Sequence, residues 1–386
     1  MIRSIFCLVI VSLVYLHCKV PDGNHFQQSN ISFEQVDNLD HHPSKLGVCW
    51  VGGDSISYHN IDQLTEVNGN WISQTPFAWQ PDIFGPELHL NTDRAWWGEA
   101  DRGLIHTTKI AKEKGVKVML KPHIWIRSAN GKWRSDLKMK SDEDWDKWFA
   151  NYETMIMHYA NLAQTHQIEA LCIGTELHLT TKFHPDRWRA MIRKIRNVYD
   201  GELTYAANWY KEFEDITFWD DLDYIGVQAY FPLSHSENPS KEELVKSWEK
   251  HKHAMKKVAD TYNKKIVLTE IGYKNTADSA IKPWTWPQNL ELEKVVKSDQ
   301  TQINLYEAMF ESLYHEPWID GFFIWKWFHS THRYKDFPAY FTARQARFDS
   351  LRRVRKWGER PKVYFTPQRT EAIHVLKDRY GKQESE

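Results

Sequence analysis

Apolar residues recur along this chain in short dense runs, separated by longer stretches in which apolar and polar positions mix. Eight runs read as strands: residues 45–51, 71–79, 116–125, 170–177, 203–209, 222–230, 264–273 and 321–328. Each is brief and rich in β-branched or aromatic residues. Between them the spacing turns helical. Trp145, Trp148, Phe149, Tyr152 and Ile156 fall on one face of a helix over 142–165. Residues 58–67 predict a short helix, and 99–114 a longer one that stops at Gly115, a residue suited to the left-handed position after a helix. Pro185 opens and Gly201 closes another. Ser240 with Glu243 three residues on is a capping box that starts a helix running to 262. Residues 299–315 and 339–356 complete the set, while "EFEDITFWD" has room for only two turns.

Strands alternating with helices predict an α/β protein with a parallel sheet. Eight such units predict a closed (β/α)8 TIM barrel, here as a single domain over 45–386. The rival, an open doubly wound sheet, would place a G-x-G-x-x-G after the first strand. The chain has neither that motif nor a P-loop.

The N-terminus departs from this pattern. Arg3 and the apolar run "IFCLVIVSLVYL" at 5–16 read as an export signal over residues 1–18, the run being short for a membrane span. Cys18 ends it in the manner of a bacterial lipoprotein, in which that Cys carries the lipid and would tether the protein to a membrane; Tyr15-Leu16-His17 fit the usual preceding motif poorly. The polar, aperiodic stretch 19–44 reads as a flexible linker. The expected location is periplasmic or cell-surface.

The formal net charge of −1 offers no single-signed field for nucleic acid. Of four cysteines, Cys7 and Cys18 lie in the signal, and Cys49 and Cys172 sit in apolar runs, so no disulfide framework is implied. Aromatic content is unusual: 19 Trp, 17 Tyr and 18 Phe. Flat rings pack cores, and they also stack on sugars.

A barrel brings the C-terminal ends of all its strands to one face. The eight ends offer, in order, Trp50; Trp79; His123 and Trp125; Glu176 and His178; Asn208 and Trp209; Gln228 and Tyr230; Glu270 and Tyr273; and Trp325 and Trp327. Strands four and seven thus aim one carboxylate each at an aromatic-walled pocket. Two carboxyl groups about 5 Å apart are what glycosidic bond cleavage with retention requires: one protonates the leaving oxygen and the other attacks the anomeric carbon. Glu176 and Glu270 are the candidate pair. Trp50, Trp79, His123, Asn208, Tyr230, Trp325 and Trp327 are candidate substrate contacts. The long stretches 81–103 and 274–288 read as cleft walls. No metal or cofactor is called for. The expected partner is a polysaccharide or oligosaccharide, with no nucleic acid, and the expected state is monomeric.

"IGTEL", "LTEIGY" and the Trp-rich eighth run resemble glycoside hydrolase family 113, over residues 45 to about 330. The resemblance implies a retaining barrel glycosidase of the β-mannanase type, with Glu176 as general acid/base and Glu270 as nucleophile. It implies that Tyr230 hydrogen-bonds the nucleophile and that Trp325 floors the subsite of the attacked sugar. One departure stands out. Relatives in the wider clan carry Asn just before the acid/base, where it contacts the 2-hydroxyl; here that position is Thr175.

Other readings fare less well. Each acid alone could be a strand-end ion pair, but matched positions on opposite strands argue against that. His329 and His332 form an HxxH pair without a carboxylate-rich frame. No G-x-S-x-G is present for serine hydrolysis. A carbohydrate-binding barrel lipoprotein that has lost catalysis would keep the Trp walls, but it would have no need of both acids.

Overall fold

The computed structural model describes residues 41–381 apart from 54, 91–94, 287–293 and 330–362. The export signal, Cys18, the linker up to residue 40, His332, the whole 339–356 helix reading and the basic run 352–362 lie outside the described residues. Of the linker reading, residues 41–44 are described, and they lie against the barrel: His41 Nε2 is 2.8 Å from Ile319 O, and Ser44 donates to Asp320 at 3.0 Å.

Among the described residues ten strands form: β1 (Lys45–Val51), β2 (Trp71–Gln74), β3 (Phe77–Asp82), β4 (Lys117–Leu120), β5 (His123–Ser128), β6 (Ala170–Thr175), β7 (Glu202–Asn208), β8 (Ile225–Gln228), β9 (Ile266–Ile271) and β10 (Ile319–Phe328). Eight close into an all-parallel barrel in the order β1-β2-β4-β6-β7-β8-β9-β10. The remaining two, β3 and β5, form a separate two-stranded parallel sheet. The second and third apolar runs therefore each break in two. The cause is a matched pair of prolines. Pro76 and Pro122 sit just beyond Gln74 and Leu120, which face each other in the barrel ladder. Neither proline has an N–H to donate, so the ladder lapses at that level. It resumes one step on, where His123 N–H donates to Pro76 O at 2.8 Å and Phe77 aligns with His123. This raises Trp79 and Trp125 above the barrel on an extension of two of its strands.

Helices α2 (Asp101–Glu113), α3 (Asp142–Thr165), α7 (Lys241–Tyr262) and α8 (Asp299–Leu313) match the periodicity reading closely, while α5 (Pro185–Arg196) starts at Pro185 as expected but stops short of Gly201. Gly115 follows α2 at φ +70°, and Ser240 accepts from Glu243 N at the start of α7. Shorter helices are α1 (Asp62–Thr65), α4 (His178–Phe183), α6 (Glu212–Asp215) and a C-terminal α9 (Ala372–Tyr380). The last closes over the base of the barrel, where the Tyr380 hydroxyl donates to Gly47 O.

Much of the aromatic excess is packing. Trp148, Trp188, Trp219, Trp248 and Trp318 are wholly buried. Within the barrel, Trp71, Phe323, Met119, Cys49, Cys172 and Val267 belong to one buried cluster that also includes Tyr230 and Trp325. That filled lumen is the floor on which the functional face rests.

Candidate active site

β6 ends at Thr175, and Glu176 follows at φ +54°, a left-handed conformation that costs a non-glycine residue energy. The turn is braced on both sides: Glu176 N–H donates to Ala206 O at 3.0 Å, and Leu177 N–H to the Tyr205 hydroxyl at 2.6 Å. Gly174 just before it is required by crowding, since a Cβ there would lie 2.6 Å from the Tyr205 ring. Glu270 is on β9, paired with Gln228, where the register with β8 shifts. Such irregularities re-aim side chains at barrel rims.

Both carboxyl groups are buried and both line one cavity of about 620 Å³ at the C-terminal end of the barrel. Glu270 accepts from Lys121 Nζ through Oε1 at 2.6 Å and from the Tyr230 hydroxyl through Oε2 at 3.0 Å. Glu176 accepts from the Trp133 indole N–H at 2.7 Å through Oε2 and from Asn208 Nδ2 at 3.2 Å through Oε1. Arg134 ties the two halves together. Its Nε is 3.7 Å from Glu176 Oε2, and its NH1 donates to His123 Nδ1 at 3.1 Å. His123 Nε2 then lies 3.6 Å from Glu270 Oε1. A chain of three short contacts thus links one acid to the other.

The surroundings of the two acids differ. Burial raises the Glu176 pKa, Arg134 opposes that, and the charge of Glu270 adds to the rise. Glu270, in contrast, has a fully buried ammonium against it. Burial works against the charge on Lys121, yet its neighbours Cys49 and Glu270 raise its pKa. Burial holds the Cys49 thiol neutral, so the Glu270 carboxyl is the partner that Lys121 meets. Lys121 also donates to Thr269 O at 3.0 Å, which fixes its head. His123 is kept neutral, first by burial and then by the cations Arg134 and Lys121. Because Arg134 donates to Nδ1, the ring proton belongs on Nε2, which has no hydrogen-bond partner. One carboxyl group raised by burial and another held against a buried ammonium is the arrangement expected of an acid paired with a nucleophile.

Of the residues picked out by sequence, Glu176, Glu270, His123, Asn208, Tyr230 and Trp325 all line this cavity. Trp50, Trp79 and Trp327 are absent from its lining. Trp50 and Trp327 face each other in the β1–β10 register and are 3% and 0% exposed, so they are packing. Trp79 sits on the proline-divided extension, its ring 6.2 Å from that of Trp125. Of the two expected walls, 274–288 contributes Trp284, Thr285 and Trp286, whereas none of 81–103 lines the cavity. Its place is taken by the loop after β5, through Trp133, Arg134, Ser135 and Asp136. Thr175 is 2% exposed and off the lining; the amide beside the acid is that of Asn208, at the end of β7, the strand that pairs with β6. Sequence reasoning passed over Lys121, Trp133 and Arg134. Lys121 had one signal, a cation ending an otherwise apolar run.

A parallel barrel with two buried carboxyl groups in one aromatic cleft defines the class as glycoside hydrolase. The chain belongs to glycoside hydrolase family 113, whose sequence model matches residues 53–341. Similar solved structures agree in fold. A complex of a family 113 β-1,4-mannanase is 24% identical, with TM-score 0.68, covering 89% of this chain and 100% of that one. A family 113 β-mannanase from Alicyclobacillus acidocaldarius, in complex with ManMIm, is 22% identical, also with TM-score 0.68, covering 88% and 97%. No curated protein sequence matches the chain.

Proposed function

We propose that the protein is an endo-acting β-1,4-mannanase working by double displacement, with Glu270 as nucleophile and Glu176 as acid/base. The observation that carries this reading is the shared cavity in which Glu270 is paired with Lys121 while Glu176 is buried with its pKa raised. Glu270 attacks the anomeric carbon as Glu176 passes its proton to the departing glycosidic oxygen, leaving a glycosyl ester on Glu270. Esterification removes the charge of Glu270, which had helped to keep Glu176 protonated. Glu176 is then the better base, takes a proton from water, and the hydroxyl so formed releases the sugar and regenerates Glu270.

The choice of mannan rests on the similar solved structures, described as β-1,4-mannanases. The endo reading rests on exposed rings along the cleft: Trp125 and Trp133 on one wall, Tyr210 and Trp284 on another. They offer stacking faces beyond the reacting sugar. Trp209 stacks on Trp284 at 5.2 Å and stiffens that rim. Incubation with soluble mannan, galactomannan, β-glucan and xylan should yield mixed-length products from the mannans only, and NMR should show the β anomer first. Cleavage confined to xylan or glucan, or an α anomer first, would defeat the reading.

We propose also that residues 1–18 direct export and that lipid on Cys18 tethers the catalytic domain to a membrane through the 19–44 linker, which suits an enzyme whose substrate is too large to be imported. The support is the arrangement of Arg3, the apolar run and Cys18. Cys18→Ala should move the exported protein from the membrane to the soluble fraction. Equal membrane retention by both forms would exclude the anchor.

A further inference from the structure

Behind the acid/base lies a third buried carboxyl group, one to which the mechanism assigns no part. Glu212 opens the short helix α6 and is wholly shielded from solvent. Its partners are hydroxyls and a backbone N–H rather than a cation. The Tyr205 hydroxyl donates to Oε1 at 2.7 Å, and Asn208 N–H donates to Oε2 at 2.7 Å. The Thr181 hydroxyl is 3.2 Å from Oε1.

Each partner leads back to Glu176. Tyr205 is the residue whose hydroxyl accepts Leu177 N–H, directly after the left-handed turn at Glu176. Asn208 has its amide oriented by Tyr210 N–H, which donates to Oδ1 at 2.9 Å, so that Nδ2 is left to donate to Glu176. Thr181 lies on α4, the helix that starts two residues after the acid. One carboxyl group therefore pins the backbone after the acid, the amide beside it and the helix that follows. Nothing else among the described residues joins all three.

Resting on the glycosidase reading above, we infer that Glu212 is a positioning residue for the acid/base: it holds Glu176 at its strained turn and Asn208 at its side, and so serves proton delivery rather than nucleophilic attack. Its state fits. Burial raises its pKa to about 8, against the pull of Asn208 N–H and the Tyr205 hydroxyl, and the nearby Glu176 adds to the rise. The rise favours its neutral form, which keeps a further negative charge away from the acid. The Thr181 hydroxyl, 3.0 Å from His178 O, can donate there and accept the Glu212 proton.

Leaving groups separate this role from a general structural one. Departure of a sugar needs a proton, whereas departure of 2,4-dinitrophenolate does not. The value of kcat/KM is measured for β-1,4-mannopentaose and for 2,4-dinitrophenyl β-mannobioside, for wild type, Glu212→Ala and Glu212→Gln. Both substrates are assayed on one preparation, so the folded fraction cancels in their ratio. Glu212→Ala should lose about 10²-fold on mannopentaose, the scale of general acid assistance, and less than about threefold on the dinitrophenyl glycoside, whose leaving group needs none. Glu212→Gln, an uncharged isostere of the protonated acid, should recover most of the mannopentaose activity. Equal losses on both substrates in Glu212→Ala, or a selective loss in Glu212→Gln as large as in Glu212→Ala, overturns the inference. Failure of the mannan reading would show separately, as wild type turning over neither substrate; the same comparison is then made on the glycan that the polysaccharide panel identifies.

Discussion

Glu270→Gln should lower kcat by about 10⁴-fold or more, the scale seen when a covalent nucleophile is removed, while mannan binding persists. The substitution is close to isosteric. The Gln amide oxygen can accept from Lys121, and its NH₂ can donate to the Tyr230 oxygen, so both contacts of Glu270 have a counterpart. What is lost is the negative charge and, with it, the nucleophilic carboxylate oxygen that forms the glycosyl ester. Binding should survive because the cleft faces that meet the chain, Trp325, Trp286, Trp284 and Trp125, are untouched. Calorimetric titration with mannohexaose, beside kcat from reducing-end release, measures the two quantities separately. Hydrolysis within tenfold of wild type would remove Glu270 from its role. A barrel that bound mannan but cleaved none even as wild type would instead support a purely binding protein.

The site was readable to the extent that strand ends are readable. Glu176 and Glu270 announced themselves because each closes an apolar run, and barrel topology brings such ends together. Helix α3 was readable because Trp145, Trp148, Phe149 and Tyr152 share one buried face. Two features were not readable for a physical reason. Pro76 and Pro122 break two runs at the same height, but that the two lie level is a fact of register, which belongs to the sheet and not to either segment. Trp133 and Arg134 reach the acids from a loop whose path no periodicity encodes. Parity along β10 also misled. It would put Trp325 and Trp327 on the same side of the strand, but the register with β1 shifts there: Ile324 and Trp327, three apart, pair with Val48 and Trp50, two apart. Trp325 therefore meets the cavity and Trp327 does not. A bulge breaks alternation, and neither strand's own sequence shows it.

Lys121 is the residue whose loss would say most about how the charge on the nucleophile is sustained. It is 0% exposed, and its ammonium lies 2.6 Å from Glu270. Lys121→Met keeps the length of the stem and deletes the charge, leaving a buried carboxylate without its cation. Breaking such a pair from one side costs about 3–5 kcal/mol, so the Tm should fall by several degrees. Activity should fall by about 10²–10³-fold near neutral pH, the effect of about 3–4 kcal/mol less stabilisation of the reactive charge. The pH dependence is the sharper test. Lys121 favours the ionised form of the carboxyl groups near it, and its charge lowers the Glu176 pKa as well. With the cation gone, more alkaline conditions are needed to ionise Glu176. The alkaline limb of the kcat/KM profile, which reports loss of the Glu176 proton, should move to higher pH. An alkaline limb that kept its position while Tm fell would make Lys121 a buried strut with no part in the charge balance of the site.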